Sequence, residues 1–132
     1  MSHIVELYKG MLRQDEFEAL VIDAIGELPQ ELLARLDNVA IVVQVWPTRD
    51  QMDEAELEHR GELLGLYEGI PLTDREGYNL VLPDKITIFQ GPVEAMCHTR
   101  EEMAREIRVT VAHEIAHHFG IDDERLEEMG LG

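Results

Sequence analysis

The sequence predicts an α+β fold, and three observations predict it. Helical apolar periodicity appears near both ends of the chain, a β-branched apolar run lies between them, and an alternating strand pattern precedes the last long helix. Residues 14–28 place Phe17, Leu20, Val21, Ala24, Ile25 and Leu28 on one helical stripe. Asp15 is positioned to cap that helix, and Pro29 stops it. A second short helix is expected over Gln30–Leu36, ended by Asp37 and Asn38. Val39–Trp46 is β-branched and nearly all apolar, which reads as a buried strand closed by Pro47. Residues 48–60 are polar and acid-rich, a loop or a short helix around Asp53–His59.

Leu63–Tyr67 reads as a second strand, Thr73–Asn79 as a turn-rich stretch and Leu80–Leu82 as a short strand. Lys85–Gln90 alternates polar and apolar residues, as a half-buried or edge strand does, and Gly91-Pro92 ends it. From Thr99 to Phe119 the period returns to 3.6. Thr99 followed by Glu102 is a capping-box signature, and Met103, Ile107, Val111 and Ile115 form the stripe, with Phe119 one turn later. Gly120 is placed to cap this helix, and a last short helix is expected over Asp123–Met129. With no internal repeat, linker or low-complexity tract, residues 1–132 are expected to form a single domain.

Charge narrows the partners. Asp and Glu number 28 against 11 Lys and Arg, a formal net charge of -17. Such a surface repels phosphate backbones and anionic lipid, so neither nucleic acid nor a membrane is the expected partner. One cysteine, Cys97, excludes an internal disulfide and a zinc cluster built on cysteines. No signal-like segment opens the chain, and no apolar run approaches the roughly 18 residues that span a bilayer, so a cytoplasmic location is expected.

The stretch that carries chemistry is His113-Glu-Ile-Ala-His117-His-Phe-Gly120-Ile-Asp-Asp123. Residues four apart on a helix share a face, so His113 and His117 can aim imidazoles at one ion. Zinc accepts neutral imidazole readily and takes four ligands in a tetrahedron. Glu114 is offset around the helix and reaches a water on the metal rather than the metal itself, the position of a general base. Gly120 can turn the chain back in the left-handed conformation, bringing Asp123 towards the ion as a third ligand. Asp122, Glu127 or a water are the alternatives for that position, and either Asp123 or Asp122 can instead cap the last helix. By composition the two-histidine motif occurs by chance in roughly 1 in 25 shuffled sequences, whereas the full pattern with Gly120 and Asp123 falls to on the order of 1 in 5,000. The longer pattern is therefore a specific signal.

This stretch resembles the extended zincin signature HExxHxxGxxH/D. Leu63-Leu-Gly-Leu-Tyr-Glu-Gly-Ile-Pro-Leu72, Leu82-Pro-Asp-Lys-Ile-Thr-Ile-Phe89 and Asp122-Asp-Glu-Arg-Leu126 extend the resemblance to the small bacterial zincin-like metallopeptidase family. The resemblance implies a minimal zincin core, a small mixed sheet with a backing helix and an active-site helix. It also implies Zn2+ on His113, His117 and Asp123, with Glu114 as the base. Nine residues follow Asp123, too few for the far wall of a larger metzincin cleft, and Met129 is too near the end to form a methionine-containing turn.

Two functions remain in view. One is a zinc-dependent peptidase acting on short or unfolded peptides, with Glu114 moving the proton; the other is a metal- or peptide-binding module of the same frame with little turnover. Metal-assisted hydrolysis of RNA is disfavoured by the acidity. Tyr67 and Tyr78 are candidates to stabilise an oxyanion. A Cys97–His98 dyad is a weaker candidate, Cys97 reading better as a small buried apolar residue. His118 points about 100° away from His117 around the helix, as a surface residue or a supporting one. The edge expected to receive an extended peptide is Lys85–Gln90.

Overall fold

A computed structural model of the chain describes residues 12–55, 63–69 and 83–132. Helix α1 (Gln14–Gly26) buries Phe17, Val21, Ala24 and Ile25, the stripe its sequence predicts. Asp15 does not cap it. The Glu16 carboxylate takes the Arg13 N–H at 3.2 Å, while Asp15 accepts from Glu16 inside the first turn. A short α2 (Gln30–Leu33) and a 3-10 turn (Ala34–Leu36) follow. Asn38, at φ 62, then turns the chain into strand β1 (Val39–Gln44), in a left-handed conformation that asparagine tolerates better than most residues.

Strands β2 (Gly65–Glu68) and β3 (Asp84–Phe89) complete a mixed sheet of order β1-β3-β2. β1 runs parallel to β3 and β2 antiparallel to it. Two expectations are reversed here. Lys85–Gln90, read as a half-buried or edge strand, supplies the central strand, and β1, read as buried, lies at an edge with Val42 37% exposed. The alternation in β3 arises because its two faces meet different layers. Ile86 and Ile88 pack into the main core, Phe89 joins Leu63 and Leu66 in a smaller cluster, and Thr87 is fully buried. Thr87 is tolerated there because its hydroxyl donates to Glu68 at 3.0 Å.

Helix α3 (Arg49–Glu54) begins earlier than Asp53, because Thr48 caps it by accepting the Gln51 N–H at 3.1 Å. Gly91-Pro92 does not end a strand in open loop. It forms the first turn of α4 (Gln90–Met96), where the missing proline N–H costs no hydrogen bond. The expected turn at Thr73–Asn79, the strand Leu80–Leu82 and residues 56–60 lie outside the described residues.

Helix α5 (Arg100–Phe119) spans 20 residues. Thr99 accepts the Glu102 N–H at 3.0 Å, and the Glu102 carboxylate reaches back to the His98 N–H at 2.7 Å rather than to Thr99 itself. Its stripe of Met103, Ile107, Val111, Ala112, Ile115 and Ala116 is buried in the main core with α1 and β3. Phe119, expected to continue the stripe, falls outside the core, 38% exposed. A last helix, α6 (Asp123–Glu128), buries Leu126 completely. Among the described residues no helix is long and apolar enough to cross a membrane.

The approach of α5 to β2 depends on Gly65. A Cβ there would lie 2.7 Å from the Thr110 methyl and 3.2 Å from the Thr87 carbonyl oxygen. Gly65→Ala is therefore expected to destabilise the protein by about 1–3 kcal/mol through overpacking. Adding Thr110→Ser removes the clashing methyl and restores most of the loss. Urea unfolding of the three chains checks this, and equal midpoints for wild type and Gly65→Ala would mean that helix and strand separate freely.

Candidate metal centre

His113 and His117 lie one turn apart on α5, their ring centroids 6.2 Å apart and nearly edge to face. The helix ends at Gly120 with φ +73, and the Ala116 carbonyl accepts both the Gly120 N–H and the Ile121 N–H, the latter at 2.9 Å. This left-handed cap is the turn the sequence predicts, and a side chain with a Cβ adopts it only at a cost. Asp122 then caps α6 by accepting the Arg125 N–H at 2.9 Å. Asp122 is thereby committed to the helix. Asp123, the first residue of α6, falls beside the histidines instead, and one ligand-type atom from each of His113, His117 and Asp123 lies within 4.8 Å of the others.

The donor set fits zinc in kind, two imidazole nitrogens and one carboxylate oxygen. Donors about 2.0–2.2 Å from one tetrahedral ion stand roughly 3.3–3.6 Å apart, which is tighter than the spacing here. His117 and Asp123 are exposed, so modest side-chain rotation closes the difference. His113 is half-buried, and its Nε2 lies 3.1 Å from the Leu131 carbonyl oxygen. A carbonyl can only accept, so the contact is a hydrogen bond in the tautomer that carries its proton on Nε2. α6 is held in place by Leu126 in the core and by Arg125, which bonds the Glu31 carboxylate through Nε at 3.1 Å.

Glu114 is half-buried and points at the sheet edge, where its Oε1 accepts the Tyr67 N–H at 2.7 Å. The register explains why that amide is available. Leu64 O accepts from Phe89 N, and antiparallel pairing alternates, so Gly65 and Tyr67 turn their backbone groups away from β3. Tyr67 also stacks its ring on His118, with centroids 3.8 Å apart, and donates its hydroxyl to Asp84 Oδ2 at 2.9 Å. Burial, then the hydrogen bond and charge of Asp84, push the phenol up to about 12. Its donor is committed to Asp84, so Tyr67 does not serve as the oxyanion donor the sequence suggested. Tyr78 lies outside the described residues. Cys97 packs half-buried against the main core. Burial raises its thiol pKa, with the charges of Glu106 and Glu102 adding to the effect, the opposite of what a nucleophilic thiolate needs.

An open groove of about 300 Å³ runs beside Glu114 along α5, lined by Leu63, Leu64, Glu106, Val109, Thr110 and His113 among others. Two contacts at the site escaped the sequence reading, the Tyr67 amide on Glu114 and the Leu131 carbonyl on His113. Both partners are backbone groups, which no residue type announces.

Fold and motif together define a small α+β protein with an HExxH helix and a candidate metal site. The chain belongs to the zincin-like metallopeptidase family, which matches it over residues 36–132. Comparison with curated proteins finds no match. The family implies a metal-dependent peptidase frame, and the His113, His117 and Asp123 cluster lies within the matched region.

The roles of the paired aspartates separate experimentally. Asp122→Ala is expected to cost about 1 kcal/mol of stability by removing the α6 cap, with a small change in zinc affinity. Asp123→Ala is expected to weaken zinc binding at least tenfold with little change in unfolding midpoint. Chelator competition and denaturant unfolding on both variants read the two effects, and the reverse pattern would exchange the assignments.

Proposed function

We propose that this protein is a zinc-dependent peptidase that cleaves short or unfolded peptides. The observation that carries the reading is the place of Glu114, which follows His113 on α5 and accepts the Tyr67 amide at an open sheet edge. The bond to Tyr67 ties α5 to β2, and the position after His113 is also the one from which a base would serve the attacking water. Bound to those three residues, zinc would supply Lewis acidity, acidifying a water molecule and polarising a carbonyl.

The chain's own residues supply the rest. β2 offers the outward backbone groups of Gly65 and the Tyr67 carbonyl to an extended peptide, which adds as a further strand, while the Tyr67 N–H stays on Glu114. Glu114 takes the proton of the attacking water and passes it to the departing amine. The Leu131 carbonyl holds the His113 ring, and Gly120 sets the angle from which Asp123 approaches. The acidic surface argues against nucleic acid or anionic membranes as partners.

A metal- or peptide-binding module with little turnover is the competing reading, and the exposure of His117 and Asp123 favours it. A metal assay on the purified chain, paired with turnover of an unstructured-peptide library, separates the two. One zinc per chain with chelator-sensitive cleavage supports the peptidase. One zinc per chain without cleavage supports the module.

A further inference from the structure

The groove beside Glu114 contains a charged group that the proposed chemistry leaves unused. Glu106 lies on α5 seven residues before His113, two turns or about 10 Å along the axis, and lines the same groove. Between them the wall is mainly short or apolar, with Gly65, Val109 and Thr110. Glu106 is half-buried and forms no ion pair among the described residues. Its neighbour Arg108 is committed elsewhere, to Glu27 at 2.9 Å.

A carboxylate at the far end of a groove whose wall alternates apolar stretches (Leu63, Leu64, Val109) with polar ones matches one type of side chain, a long aliphatic stem with a cationic head. Extended lysine or arginine reaches roughly 6–7 Å from its Cα. With about 1.5 Å from the carbonyl carbon to its Cα and about 2.8 Å for the charge-assisted contact, a peptide with a carbonyl at the His113, His117 and Asp123 cluster can lay such a side chain along α5 and bring its charge to Glu106. The net charge of -17 acts in the same direction, raising the local concentration of cationic peptides.

We propose that Glu106 is a specificity-determining residue, selecting peptides that carry lysine or arginine next to the bond held at the metal centre. This rests on the peptidase reading for its reaction but not for its binding. An acidic side chain in the same place meets two carboxylates, Glu106 and Glu114, and is rejected.

The test uses zinc-loaded full-length chain carrying Glu114→Gln, so that bound peptide is not consumed. Three labelled hexapeptides, identical except for lysine, norleucine or glutamate at one central position, are titrated and followed by fluorescence anisotropy. The lysine peptide is expected to bind about tenfold more tightly than the norleucine peptide at low salt, with the ratio shrinking as ionic strength rises. Adding Glu106→Gln should bring the ratio close to one, and Glu106→Lys should make a glutamate-containing peptide the best of the three. Equal affinities in the Glu106 chain, a preference unchanged by Glu106→Gln, or no binding of any peptide would each overturn the inference. Cleavage of the lysine peptide by the wild-type chain is measured in parallel. Selective binding without cleavage would overturn the peptidase reading and leave the role of Glu106 standing.

Discussion

His117→Ala is expected to lower zinc affinity by more than about 100-fold, since even groups that merely support metal ligands are worth 10–100-fold. The fold should survive, because His117 is exposed on the last turn of α5 and contributes little to the core. His113→Ala should lose the metal equally and cost some stability as well, since His113 is half-buried and holds the Leu131 carbonyl. Competition with a chromophoric chelator gives the affinities, and far-ultraviolet circular dichroism checks the fold. Retention of one tightly held zinc by both variants would place the metal elsewhere.

Glu114→Gln is the second large effect. The glutamine amide oxygen can still accept the Tyr67 N–H, so the strand edge and helix stay in register. What it loses is basicity, and general acid–base catalysis of this kind contributes about 10²–10⁴-fold. Turnover of the peptide library should fall by that factor while zinc stoichiometry stays at the wild-type level. A variant that cleaves at the parental rate would remove Glu114 from the mechanism, and one that loses its zinc would make it a ligand or a scaffold.

The legible parts of this protein are those governed by local periodicity. α1 and α5 announce themselves through stripes such as Phe17, Val21, Ala24 and Met103, Ile107, Val111, and both stripes are buried. The turn at Gly120 was equally readable, because only a residue free of a Cβ takes that conformation cheaply. Sheet order was not readable. An alternating run such as Lys85–Gln90 fits an edge strand or a central strand between unlike layers, and only the packing of α1 and α5 on one face distinguishes them. Helix α4 was hidden because Gly91-Pro92 signals a stop and a helix start in the same letters. Which aspartate caps α6 turns on one hydrogen bond, from the Arg125 N–H to the Asp122 carboxylate, that two adjacent aspartates leave open in sequence.

The division of the cluster between α5 and α6 has a thermodynamic consequence. Two donors ride on one rigid helix and the third on a six-residue helix across the Gly120 turn. An ion bound by all three cross-links the two helices, so its binding free energy and the attachment of α6 are linked and reciprocal. Loosening Leu126 in the core must weaken the metal, and removing the metal must loosen α6 by the same free energy. Amide exchange in Arg125–Glu128 therefore reports occupancy directly, slowing when zinc is added while exchange in α1 changes less. The short last helix would, in that sense, be part of the chelator.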